Sequence, residues 1–380
     1  ANSYIESCDD DGDAASQLTA CLGIGFEALK NCAWSTFDKL LFALNAKITD
    51  DYNICQGASG FIDSIKEPSV WSMVAEHFYK NLSELEKTKE TANFTRNYKR
   101  DRISNILIQA LQNAGRSDEA LTVCETEARI TGSWQRLVTN LIEQKKLDQA
   151  KLAAEEGLNS LGDKYGGVTN FLKETLANLA EMKGDYSSLL LLKQEDFLTH
   201  PNLSSFEALL AAAVKNKNRD EMRTWALNFL QTGKAPAKSA MKEPFQPIGR
   251  YHHKEFPYYQ ILIDIAEKEK RTEDLWFLYK QAIKATKYFR GHSQVAGAIK
   301  DLYPEEAIKI WCALAENQIA HTSPSAYATA VSYFREAKSL YQKTAREKEW
   351  LEYIANISET NKRKSRFIKE LRGLTGEKLL

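Results

Sequence analysis

Apolar residues recur along this chain at i, i+3, i+4 and i+7, the period of helices that bury one face. Leu18, Cys21, Leu22, Gly25, Ala28, Leu29 and Cys32 form the first such face and predict a helix over Ala14 to Cys32. Leu40, Leu41, Leu44 and Ile48 predict a second, from Lys39 to Ile48. Ser35-Thr36-Phe37-Asp38 before it resembles a capping box with Asp in place of Glu. A short helix is predicted over Ile54 to Lys66, ended by Pro68, and the next carries Trp71, Val74, Ala75, Phe78 and Leu82. Ser83 to Asn93 is polar and charged, a loop or an exposed helix end. From Arg96 a long helix places Ile103, Ile106, Leu107, Ala110, Leu111 and Ala114 on one face. Lys99, Arg100 and Arg102 near its start read as a solvated face rather than a phosphate site.

The stretch Leu107 to Ala128 then reads as helix, tight turn and helix, and variations on it recur. Aligned on Ala120, the copies hold Ala150, Leu189, Met222 and Leu275, with weaker echoes at Ala307 and Trp350. A turn residue stands five places earlier, at Gly115, Lys145, Gly184, Lys217, Lys270, Leu302 and Ala345. An acid usually stands two places earlier, as at Asp118, Asp148, Asp220 and Glu273, where it is expected to cap the second helix. Spacings run from 30 to 53 residues, around the period of about 34 of a tetratricopeptide repeat. The pattern predicts an all-α fold, an irregular tetratricopeptide-like α-α superhelix built as a solenoid of helical hairpins.

The longest interval contains a break. Thr232 to Pro257 holds four of the eight prolines, with Gly233 and Gly249, and cannot be continuous helix. The expected organisation is a helical cap region over 1–93, helical repeats over 94–231, a proline-rich loop over 232–257 and further repeats over 258–380. Tyr258, Tyr259, Trp276, Phe277, Tyr279, Tyr288 and Phe289 follow the break and read as core aromatics. The chain closes on Lys362 to Leu371, a basic helix with an apolar edge.

Composition narrows the function classes. Lys+Arg 51 balances Asp+Glu 51, so no global field draws the protein to nucleic acid or anionic lipid. No stretch approaches the roughly 18 apolar residues of a membrane span. Ala1 to Gly12 is polar and acidic, unlike a signal peptide, and the missing initiator Met implies processing or trimming. Six scattered cysteines, none in Cys-x-x-Cys, fit reduced core thiols of a cytoplasmic protein.

Candidate chemistry does not assemble. The acidic cluster around Gly12 puts Ser7 and Leu18 at the end positions of a calcium loop, where ligands are required. Gly23-Ile24-Gly25-Phe26-Glu27-Ala28 matches a dinucleotide fingerprint, but a helical period passes straight through it. The expectation is that Gly23 and Gly25 let a neighbouring helix approach closely. Asp50-Asp51 reads as loop, and His252-His253 as loop residues without a further ligand at metal spacing. The sequence thus implies no catalytic residue, no bound cofactor and no metal, hence no enzyme. Lys362, Arg363, Lys364, Arg366 and Lys369 are the candidate nucleic-acid contacts, although Phe367, Ile368, Leu371 and Leu374 predict that this helix caps the stack.

Several segments together resemble a known family. Asp38-Lys-Leu-Leu-Phe-Ala-Leu44, Asp50-Asp-Tyr52 with Cys55, and Trp71-Ser-x-Val74-Ala75 are similar to the region that follows the zinc finger in prokaryotic SWIM zinc finger proteins. So are Ala114-Gly-Arg-x-Asp-Glu-Ala-Leu121 with Cys124 and the closing Lys362-Arg-Lys with Phe367 and Leu371. The family's Cys-x-Cys…Cys-x-His motif is absent here, so no zinc ligand carries over. The resemblance implies the C-terminal helical portion of a longer protein, with any zinc held in an upstream region. It also implies a protein or peptide partner, or nucleic acid. The expected function is a non-catalytic interaction scaffold, and the alternative is a nucleic-acid-associated module.

Overall fold

The computed structural model describes residues 12–87, 94–162, 166–234, 256–286 and 288–375. Among them the fold is all-α, with nineteen helices and no strand. The helices group into two compact units, Ala1–Asp185 and Tyr186–Leu380, a division that falls inside the 94–231 stretch. Most of the proline-rich stretch, with His252-His253 and Gly249, lies outside the described residues.

The first unit opens with α1 (Asp13–Leu29), α2 (Thr36–Ile48), α3 (Gly57–Ser64) and α4 (Pro68–Lys87). Ser35 starts α2 by accepting the Asp38 N–H at 3.1 Å, and its hydroxyl donates to the Asp38 carboxylate at 2.5 Å. Pro68 begins α4 instead of merely ending the helix before it, because its missing N–H is one that a first turn never uses. The glycine expectation is not met, since a Cβ on Gly23 or on Gly25 would meet nothing within 4 Å, and the glycine that has to lack a side chain is Gly57. Gly57 of α3 lies against Gly23, where a Cβ on Gly57 would stand 2.8 Å from the Gly23 Cα. Gly25 has open space around it. Asp50 accepts the N–H groups of Tyr52, Ile54 and Cys55, at 3.3, 3.0 and 2.7 Å, and so folds the loop before α3.

The unit continues as α5 (Phe94–Asn113), α6 (Ser117–Thr131), α7 (Trp134–Glu143), α8 (Leu147–Leu161) and α9 (Gly166–Met182). From α4 to α9 each helix packs on the next, and α7 also meets α9. The second unit comprises α10 (Tyr186–Thr199), α11 (Leu203–Lys215), α12 (Arg219–Thr232), α13 (Tyr259–Lys268) and α14 (Thr272–Ala285). It ends with α15 (His292–Ile299), α16 (Pro304–Ala320), α17 (Pro324–Lys343), α18 (Glu347–Thr360) and α19 (Ser365–Thr375). Here α10 to α18 again pack each on its successor. Asn202 supplies a full capping box with Ser205 at the start of α11, a signal the sequence reading missed.

The turn residues behave as one device. Gly115, Lys145, Gly184, Lys217, Lys270 and Ala345 all have left-handed φ, between 56° and 77°. In each case the following N–H reaches back five residues, as Arg116 to Leu111 at 2.8 Å and Arg346 to Tyr341 at 2.8 Å. That is the Schellman closure, which satisfies the last carbonyls of the first helix. Leu302 is the exception. It is not left-handed, and two residues later Pro304 starts α16. The aligned positions Ala120, Ala150, Leu189, Met222, Leu275, Ala307 and Trp350 are all buried.

The acids do not cap as expected. No side-chain cap bond starts α6, α8, α12, α14 or α18. Asp118 sits inside the first turn of α6, where a negative charge favours the helix dipole. At three of these starts an arginine does the fastening. Arg116 holds Glu119 bidentately at 2.7 Å and reaches Glu76 at 2.7 Å. Arg346 holds Glu349 at 2.8 and 2.5 Å, with Glu305 at 3.5 Å. Arg271 pairs with Asp274 and Glu269.

In the basic cluster on α5, Lys99 is exposed as a solvated face requires, but Arg100 and Arg102 are not part of one. Arg100 is buried and grips Glu127 of α6 through two 2.7 Å bonds, with Glu86 of α4 at 2.9 Å. Arg102 donates to the backbone carbonyls of Ile48 and Asp50 and pairs with Asp51. Their partners lie 14 to 54 residues away in sequence, so no local pattern could reveal them.

Two further expectations are corrected. Of the aromatics after the break, Tyr279 is core, but Phe277 and Tyr288 are exposed. Of the five described cysteines, all free, only Cys124 and Cys312 are buried. Burial pushes both thiols up to about 11, so at neutral pH they are protonated and poor nucleophiles.

Candidate partner groove

The last three helices line a groove of about 670 Å³. Its placement follows from how α19 is fastened. Phe367 is fully buried with its ring 5.6 Å from Tyr327 of α17, and Leu371 and Leu374 are buried beside it. Lys338 of α17 donates to the Leu374 carbonyl at 2.8 Å. Lys364, just before α19, donates to the Ile319 carbonyl at the end of α16 at 3.1 Å. These ties seat α19 on α17, two helices back in the chain, whereas every earlier helix of the unit packs on its immediate neighbour.

One face of α18 is left open as a result. Leu351, Ile354, Ala355 and Ser358 line it at helical spacing, with Trp350 at its base. Leu351 is 61% exposed while Trp350 and Ile354 are buried. Ile368 and Leu371 of α19 form the opposite wall. The rim is charged and unequal. Glu347 and Glu359 lie on the α18 side, and Lys338 and Arg372 on the other.

None of the five sequence-predicted basic residues lines this groove, and they do not act together. Lys362 is exposed and pairs with Glu359 at 2.5 Å. Lys364 is half-buried and spent on the Ile319 carbonyl. Arg363, Arg366 and Lys369 are exposed. The apolar edge of the same helix is core, as Phe367, Leu371 and Leu374 show.

Elsewhere on α18, the Tyr353 hydroxyl donates to Glu316 at 2.5 Å. Burial and this hydrogen bond push the Tyr353 phenol far above its ordinary value, so it stays protonated and fixes α18 to α16. Among the described residues no group of three or more His, Cys, Asp or Glu is placed to hold a metal ion. No described helix is long and apolar enough to cross a membrane.

Comparison of the sequence with family models and with curated proteins finds no match. The segments that resemble SWIM zinc finger proteins map onto packing and turn positions. Leu40, Leu44, Trp71, Val74, Ala75, Ala120, Cys124 and Phe367 are all core.

Proposed function

We propose that this chain is a non-catalytic protein-interaction scaffold and that the α17–α18–α19 groove seats a segment of a partner protein. The observation that supports this is the open apolar face of α18. Leu351 stands 61% exposed above buried Trp350 and Ile354, inside a concavity rimmed by charge. Apolar surface left in water forgoes about 25 cal/mol per Å², and contiguous apolar patches with polar rims mark interaction sites.

The test is selection of a random peptide display library on the intact chain, counter-selected with Leu351→Asp. Peptides that bind the wild-type chain and lose binding to the variant are expected. Enrichment of none, or of peptides indifferent to the substitution, overturns the assignment.

A second reading follows from Arg363, Arg366 and Lys369, which are exposed on one end of the unit, and from the resemblance to zinc finger proteins. In it the chain is the helical part of a longer protein that touches nucleic acid. Three phosphate contacts predict that affinity for duplex DNA falls with a log–log salt slope of about −3. Reversing all three charges should remove that binding, and binding left unchanged refutes the reading.

A further inference from the structure

We draw no further inference here: the strongest candidate, the polar cleft of about 470 Å³ lined by Gln112 of α5, Gln135, Thr139, Asn140 and Glu143 of α7 and Val168 of α9, carries nothing, because the buried Asn140 amide is already bonded to Gln112 and to the Arg136 carbonyl and nothing in the structure shows what covers the exposed remainder.

Discussion

The two units join helix to helix by different means. In the first, the joints are polar and directional. Arg100 ties α5 to α6 and α4, and Arg136 of α7 bonds Asp101 at 2.6 Å and Ser104 at 3.2 Å on α5. Arg102 pins the loop after α2. In the second, the joints are mostly aromatic. Phe197 of α10 meets Phe206 of α11 at 6.2 Å, Trp311 of α16 meets Tyr333 of α17 at 5.4 Å, and Tyr341 of α17 meets Trp350 of α18 at 5.8 Å. Guanidinium–carboxylate forks demand one geometry, so they set register and fail when one partner goes. Aromatic faces hold by area and tolerate small shifts.

Removing Arg100 should therefore give the largest effect. The pair is 7% and 1% exposed, and Arg100→Ala strands the Glu127 carboxylate in the interior at a cost of about 3–5 kcal/mol. Replacing both partners by Met and Leu should cost far less. Urea unfolding of the single and double variants separates the two outcomes, and equal losses would show that shape, not charge, sets the joint.

The second unit's own fork should respond to pH. Glu269 accepts from Arg223 at 2.8 and 2.6 Å and from Arg271 at 2.8 Å. The Arg223 bonds come first, then Arg271, in holding its carboxyl down to about 2 against desolvation. An unfolded glutamate titrates near 4.3. The folded value is the lower one, so the pair's contribution is complete above about 4.3 and is lost as pH falls from there towards 2. Glu269→Gln should cost about 2 kcal/mol at neutral pH and flatten this acid limb in a melting series from pH 7 to pH 2.5. An acid limb that survives the substitution assigns it to other carboxylates.

Next comes packing inside the first unit. A Cβ on Gly157 of α8 would stand 2.8 Å from Leu172 and 2.9 Å from Trp134. Gly157→Ala should cost about 1–3 kcal/mol by overpacking, although alanine is the better helix former. Thermal melts showing a gain instead would mean that the joint yields like the aromatic ones.

The smallest effect is a gain. Lys145, Lys217, Lys270 and Ala345 hold left-handed φ without being glycine, a conformation that costs an L-residue about 1 kcal/mol. Changing Lys270 to Gly should raise stability by up to about 1 kcal/mol, and Lys145→Gly in the other unit should do the same. Gly115→Ala should lose a similar amount. A clear difference between the two lysines would mean that the turn is not the same device in both units.

These turns show what was legible in the chain. Aligning on Ala120 exposed a turn position whose residue type varies, because the register of buried Ala150, Leu275 and Trp350 carried it. The acid at Asp118 was read correctly as a helix start and wrongly as a cap, because Asp-Glu looks the same whether the backbone or Arg116 is the partner. Arg100 was misread because its counter-charge lies on another helix. The groove was invisible for a related reason. It exists only because Phe367, Lys338 and Lys364 draw α19 onto α17, and nothing in the Ser365–Thr375 segment alone states which helix it will meet.

The six left-handed turns also make the chain divisible. Every stretch from one such residue to the next, Arg116 to Lys145 for instance, enters and leaves through the same backbone geometry. The joint is specified by main-chain bonds, so its form is independent of what the flanking helices carry. A hairpin can then be removed, repeated or exchanged at these seams without a new connection being devised, which leaves neighbouring side-chain contacts as the only part of the molecule that has to be rewritten.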